Sequence, residues 1–230
     1  MSAMQTGAPV RNENPRTGGF AHPERNVAAL GIESGSSVAD FGSGSGAYVF
    51  AVAESLKGSG HVYAVDVQKD LLRRISNEAA KRGFKNVEVV WADLEVPRAS
   101  KLGNGVLDLV LVSNILFQVS DKQALLSEAR RVLKTMGRLV IIDWSGSFGR
   151  GEAGREGVGE LEFPAEEGSE RSERWKTVGF QRGLGPITEE VVKKEAAIEL
   201  AEKSGFKLVK EFPAGAHHYG LILRPVAMAQ

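Results

Sequence analysis

Three carboxylates stand where apolar, strand-like runs give out: Asp40 in VADF, Asp66 in HVYAVD and Asp93 in VEVVWAD. Between the first two lie three alternating glycines, Gly42, Gly44 and Gly46, followed by the helix-forming residues 47–56. Glycine reaches positive φ without steric cost and, lacking Cβ, lets a ligand approach the backbone. A helix N-terminus behind such a turn adds unpaired N–H groups and partial positive charge. An acid about twenty residues beyond the turn, where Asp66 stands, can accept hydrogen bonds from both hydroxyls of a ribose. Asp93 can accept from the exocyclic amine of adenine, while the Leu94 N–H meets a ring nitrogen and the Leu94 side chain covers the ring. The neighbours Phe41, Ser43, Val67 and Ala92 complete this expected contact set. Asn114 joins them because it follows LDLVLVS, and the carboxyl ends of parallel strands collect ligand-binding groups.

Other reactive side chains are few. His218 and Tyr219 could act as a base or orient a substrate hydroxyl, since an unperturbed imidazole titrates near pH 6.5. A histidine pair packed at a sheet edge is the plainer reading. The four histidines and the acids show no metal-ligand spacing, so no metal is expected. The chain has no cysteine, which removes disulfides, thiolate metal sites and cysteine nucleophiles.

The elements that must position these groups follow from periodicity and punctuation. Residues 1–19 are polar, with Pro9, Pro15 and two closing glycines, and are expected to form a flexible tail. A helix opened by Pro23 and reaching Leu30 should act as a lid or prop beside the glycine turn. Strands ending at Asp40, Asp66 and Asp93 then alternate with helices over 47–56 and 69–82, the second stopped by Gly83. Leu107 to Val112 is apolar nearly throughout, as a doubly buried central strand requires. A capped helix over 121–133 and a turn at Gly137 lead to a fifth strand, RLVIIDW.

From 145 to 185 the texture changes to glycines and mixed charge, which suits a mobile insertion covering the substrate site. A helix over 188–204, opened by Thr188, precedes FKLVKEF and HHYGLILRP. Residues 213–216 are a link short enough for an antiparallel pair. The whole is one α/β domain over 20–230.

At 230 residues the chain can bury a substantial core. Its 29 basic and 29 acidic residues balance, giving no global attraction to nucleic acid or an anionic membrane. Arg130, Arg131, Lys134 and Arg138 could form a modest basic patch, but a solvated helix face and turn explain them more simply. No apolar run approaches the roughly 18 residues of a membrane span, and the start lacks a signal-peptide core. Cytoplasmic residence is the resulting expectation.

Two cofactors compete for the turn. Gly42, Gly44 and Ala47 fit the spacing of a dinucleotide-binding turn, with Asp66 at the NAD ribose distance. Against a pyrophosphate stand Asp40, two residues before the first glycine, and Asp93 at the adenine end. An acidic rim suits a ligand carrying cationic groups, such as an ammonium and a sulfonium. The pattern Asp40-x-Gly42-x-Gly44-x-Gly46, Asp66 and Asp93, with SNILF, VLKTMGRLVIIDW and the closing strands, resembles the class I S-adenosylmethionine-dependent methyltransferases.

That resemblance implies a Rossmann-like seven-stranded sheet in the order 3-2-1-4-5-7-6, last strand antiparallel, with helices on both faces. It further implies a glycine turn that holds the methionine part of S-adenosyl-L-methionine, Asp66 on the ribose, Asp93 on the adenine and S-adenosyl-L-homocysteine as product. Thr135-Met136-Gly137 replaces the family's Pro-Gly-Gly turn, and Phe117 stands where many small-molecule members have histidine.

Methyl transfer is an in-line displacement needing alignment and exclusion of water more than a strong base. Without cysteine, covalent attack on pyrimidine C5 is excluded and arsenic methylation is disfavoured. SNIL is not the Asn/Asp-Pro-Pro-aromatic sequence of enzymes acting on exocyclic base amines. The expected partner is therefore a small or medium-sized acceptor methylated at O, N or C, with nucleic acid disfavoured and no membrane. The alternatives are an RNA or protein methyltransferase, a non-catalytic S-adenosylmethionine-binding regulator and a nicotinamide-dependent oxidoreductase.

Overall fold

A computed structural model describes residues 21–146, 186 and 188–226. The expected tail at 1–19 and nearly all of the expected insertion at 145–185 lie outside them.

The first helix, α1 (Pro23–Leu30), starts with proline near its first position and ends at Gly31, whose φ of 55° permits the left-handed cap. Strand β1 (Ser37–Phe41) leads through the glycine turn to α2 (Ala47–Leu56), and β2 (His61–Asp66) leads to α3 (Lys69–Arg82). Helix α3 buries Leu72, Ile75 and Ala79, one stripe at helical spacing, and leaves its charged residues in water. Next come β3 (Val87–Trp91), β4 (Leu107–Ser113), α4 (Lys122–Val132) and β5 (Leu133–Trp144). After a short 3-10 helix (Thr188–Glu190), α5 (Lys194–Lys203), β6 (Phe206–Gly215) and β7 (His218–Pro225) close the described chain.

The seven strands form one sheet in the order β3-β2-β1-β4-β5-β7-β6, as expected. Strands β1 to β5 pair in parallel, whereas β7 runs antiparallel to both β5 and β6. Two apolar layers cover the sheet. Helices α1, α2 and α3 pack on one face against Val38, Val62, Leu109, Leu111, Val140 and Ile142. Helices α4 and α5 pack on the other, over Ala39, Phe41, Val110, Val112 and Ile141.

Three boundaries differ from the sequence reading. Strand β5 begins at Leu133, directly where α4 ends, and residues 134–137 lie opposite Asp108 alone, between the rungs Leu107–Leu133 and Leu109–Arg138. The expected turn at Gly137 is thus an irregularity inside a strand, held by an ion pair of 2.8 Å from Lys134 to Asp108. The helix expected over 188–204 is broken at 191–193, where Tyr219 donates its hydroxyl to the Val192 carbonyl at 2.9 Å. That long-range bond takes a carbonyl that a continuous helix would have used internally. Finally, β6 runs on through Pro213 to Gly215, so the link to β7 is only Ala216 and His217. Proline is tolerated here because β6 is an edge strand and the pairing shifts register between Pro213 and Gly215.

Candidate functional site

The parallel strands bring their carboxyl ends to one edge, and the antiparallel β7 starts there. Side chains alternate along a strand, so those in step with the α1–α3 layer at this edge are Asp40, Asp66, Ser113, Trp144 and His218. Asp143 and Tyr219 fall on the opposite face, with the α4–α5 layer.

The glycine turn is fastened from β2. Gly42 and Ser43 donate their N–H groups to the Val65 carbonyl at 2.8 and 3.0 Å. Gly44 donates to Asp66 Oδ2 at 2.9 Å and Gln68 to Asp66 Oδ1 at 2.8 Å. The buried Asp66 carboxylate therefore shapes the turn before it meets any ligand, and each oxygen keeps a further lone-pair position.

The three glycines have different tasks, although all have positive φ. A Cβ at Gly42 would meet Ile115 Cδ1 at 2.1 Å, and one at Gly46 would meet Ile75 Cγ1 at 2.8 Å and Phe50 Cε2 at 3.0 Å. Only Gly44 faces open space, its nearest neighbour being the Gly42 carbonyl at 4.0 Å. Close approach by a ligand is thus possible at Gly44, whereas the bare backbone at Gly42 and Gly46 admits the protein's own side chains.

Asp40 is 3% exposed, and its Oδ1 has no hydrogen-bond partner among the described residues. Burial first, and the charge of Asp66 second, push its carboxyl up to about 7. Ser43 Oγ, Ser113 Oγ, Asn114 Oδ1 and both ring nitrogens of His218 are buried without partners as well. Of the eight such atoms among the described residues, these six lie at the carboxyl edge; the others belong to Asn86 and Arg224. Native interiors leave few polar groups unpaired, so this concentration distinguishes the carboxyl edge as a candidate binding site.

Asn114 takes φ of 55°, which asparagine tolerates better than most residues. Its N–H donates to the Ile142 carbonyl at 2.9 Å and its carbonyl accepts from Gln118 Nε2 at 2.8 Å, so the backbone is engaged while the side-chain Oδ1 is not.

The remaining expected residues are distributed unevenly. Phe41 turns its ring into the α4 layer, and Leu94 and Ala92 pack in the same layer. Ala92 donates its N–H to the Asp66 carbonyl at 3.1 Å, and the Val67 carbonyl accepts from Trp91 Nε1 at 2.9 Å. Half-buried Asp93 accepts from the Glu95 N–H at 3.1 Å.

Tyr219 is 7% exposed, its hydroxyl is committed to Val192 and burial drives its pKa far upward. It anchors the chain ahead of α5. His218 is 4% exposed, its ring centroid lies 4.2 Å from that of Trp144, and burial followed by the His217 charge lowers it to about 4. The imidazole is neutral at physiological pH.

Sequence reasoning missed Asp143, a fourth acid at a strand end. It is 1% exposed and accepts the Leu116 N–H at 3.1 Å and the Trp144 N–H at 2.8 Å. Burial, only partly offset by these bonds, pushes it up to about 7. It holds the loop after β4 and, with it, Ile115 over Gly42. Its place in RLVIIDW was the available signal. Asn26 was missed too: its Nδ2 donates to the Tyr48 hydroxyl at 2.8 Å and to the Ala214 carbonyl at 2.9 Å, so α1 props α2 against β6.

The four cations of the possible basic patch are engaged within the chain. Arg131 pairs with Glu128, Lys134 with Asp108, Arg130 with the Gly205 and Val226 carbonyls, and Arg138 with those of Leu30 and Gly31. A cleft of about 570 Å³ between α2 and α3 reaches Ser45 and Ala47 but none of Asp40, Asp66, Asp93 or Asn114. Among the described residues no group of three or more metal-ligating side chains converges, and no helix is long and apolar enough to cross a membrane.

Residues 32–182 match a family described as a methyltransferase domain. The chain is 33% identical over 134 residues to the arsenite methyltransferase of Aquipseudomonas alcaligenes, covering 53% of this chain and 38% of that protein. It is 30% identical over 116 residues to the ubiquinone/menaquinone biosynthesis C-methyltransferase UbiE of Hahella chejuensis, covering 50% and 45%. The chain thus spans less than half the length of these curated relatives. The crystal structure of a SAM-dependent methyltransferase from Aquifex aeolicus superposes with a TM-score of 0.67 at 24% identity over 90% of each chain, a likeness of fold.

Proposed function

The chain belongs to the methyltransferase-domain family, and from that premise we propose that it is an S-adenosylmethionine-dependent methyltransferase acting on a small or medium-sized acceptor at O, N or C. The observation that carries the reading is the collection of six buried, unpartnered polar atoms at the carboxyl edge beside an open glycine.

The residues present fit the cofactor. Asp40 offers a buried carboxylate, its Oδ1 without a partner among the described residues, to a cationic amino group. Gly44 lets the ligand lie on the backbone, and Ser43 and Asn114 supply hydrogen bonds at the same edge. Asp66 takes the ribose hydroxyls on its spare lone pairs, with Val67 beside it, and Asp93, Ala92 and Leu94 frame the adenine. When bound, S-adenosylmethionine supplies a methyl group on a positively charged sulfur. The protein's part is to orient the acceptor in line with that methyl and to keep water out. Neutralising Asp40 on binding also relieves the cost of a buried carboxylate, so cofactor and fold stabilise one another.

The name arsenite methyltransferase belongs to the relative. This chain contains no cysteine to supply the soft thiolates that would suit arsenic, whereas an organic acceptor needs none. Calorimetry with S-adenosylmethionine, S-adenosylhomocysteine, NAD and NADP tests the cofactor. Micromolar binding of the first two and none of the last two is expected, and nicotinamide preference would overturn the reading. Product formation over an acceptor panel then separates an enzyme from a cofactor-binding regulator.

A further inference from the structure

The carboxyl edge extends well beyond the glycine turn. Asp40, Leu111, Val140 and Ile222 form one row across β1, β4, β5 and β7. Three strand spacings separate its ends, about 14 Å. Trp144 lies four residues past Val140 toward the carboxyl edge, and its register partner on β7 is His218. The ribose and adenine side chains, Asp66 and Asp93, lie the other way from Asp40, on β2 and after β3. A group reaching the Trp144–His218 pair therefore belongs to a second molecule.

Three observations describe what that molecule must be. Both nitrogens of His218 are buried and unpartnered, although the ring is only 4% exposed. Such an imidazole carries an unmet hydrogen-bonding demand on both sides. The Trp144 indole lies against it, with centroids 4.2 Å apart and planes tilted by 40°, so one flank of the imidazole is flat and aromatic. The pair itself is rigidly held. Ser145 donates to the His217 carbonyl at 2.9 Å, the Trp144 N–H is fixed on Asp143, and the Phe212 ring fills the space over Gly220 two residues along β7.

Resting on the methyltransferase reading, we propose that Trp144 and His218 form the acceptor-binding end of the carboxyl edge and select a planar aromatic acceptor whose hydroxyl hydrogen-bonds the His218 imidazole. A neutral imidazole presents one donor and one acceptor, which a hydroxyl can match from either direction. Among the described residues an ammonium acceptor would find no carboxylate there, since Asp143 points to the opposite face. An aliphatic alcohol would satisfy the imidazole but not the indole. His218 is on this reading a specificity-determining residue that touches the acceptor; no proton transfer to it is required.

The test uses equilibrium dialysis of 2-naphthol, naphthalene and cyclohexanol against the full chain saturated with S-adenosylhomocysteine. The wild type is expected to bind 2-naphthol at least tenfold more tightly than naphthalene, and cyclohexanol weakest of the three. His218→Phe should bind 2-naphthol and naphthalene alike, His218→Gln should restore part of the preference, and Trp144→Leu should weaken both arenes. If the Phe variant does not fold, a shift of the wild-type His218 ring-nitrogen resonances on adding 2-naphthol, absent with naphthalene, supports the proposal, and its absence overturns it. Undiminished hydroxyl preference in His218→Phe also overturns it, as does binding of S-adenosylhomocysteine without binding of 2-naphthol. Failure to bind S-adenosylhomocysteine itself would overturn the methyltransferase reading and this proposal with it.

Discussion

Two carboxylates at the same edge call for opposite experiments. Asp66 accepts from the Gly44 and Gln68 backbones, so Asp66→Ala removes both the proposed ribose contact and the fastening of the turn. Hydrogen bonds to a charged group contribute about 1.5–3 kcal/mol each, so cofactor affinity should fall at least tenfold in calorimetry. The melting temperature should fall as well; unchanged affinity would refute the ribose assignment. Asp40 Oδ1 accepts from none of the described residues. Its carboxyl is raised from 3.8 to about 7 by burial, so between these values the fold holds a proton that the unfolded chain has released. Asp40's contribution to stability is present below pH 4 and lost as pH rises through 7. Asp40→Asn should therefore melt near the wild type below pH 4 and above it at pH 8, while binding S-adenosylmethionine more weakly. A variant less stable than wild type at pH 8 would show that Asp40 is paired after all.

At the scale of elements, the glycine turn divides its labour between ligand and packing. Gly44→Ala adds a methyl to open space at φ of 51°, a conformation that costs an alanine about 1 kcal/mol. Its stability loss should be small and its loss of cofactor affinity at least tenfold. Gly46→Ala drives a methyl between Ile75 and Phe50 and parts α2 from α3, so thermal denaturation should show the larger loss there. Equal melting temperatures for the two variants would contradict this division. The turn's place between strand and helix was legible in the alternation of glycines after VADF. Which glycine meets a ligand was not, because Ile115 and Ile75 arrive over Gly42 and Gly46 from positions 73 and 29 residues further along the chain. The broken helix at 191–193 has the same origin in a contact with distant Tyr219.

For the whole molecule, the unpaired polar atoms at the carboxyl edge imply that the free protein gives up stability which a bound ligand restores. Saturating S-adenosylhomocysteine at about a hundred times its dissociation constant contributes about 2.7 kcal/mol. In a chain of this size that raises the melting temperature by about 5–10 °C. NAD at the same concentration should leave it unmoved. A scanning fluorimetry experiment reads both, and an equal shift with NAD would contradict the reading of Asp40 as a cation's partner.

Taken alone, the sequence determined the class of fold, the strand order through its family resemblance, the Asp-Gly-rich turn and the acids at the end of β2 and just after β3. These are local signals: glycine at positive φ, strand-like runs and acids at their ends act within a few residues of one another. Only the tertiary structure decided which of those groups are already engaged and which remain unmet. Asp66 is engaged because β2 lies beside the turn, and Tyr219 because its partner precedes α5. Asp143 holds the loop after β4, and the Trp144–His218 pair exists because an antiparallel strand begins where a parallel one ends. Burial and hydrogen-bond satisfaction depend on residues far apart in the chain, and no periodicity carries that information.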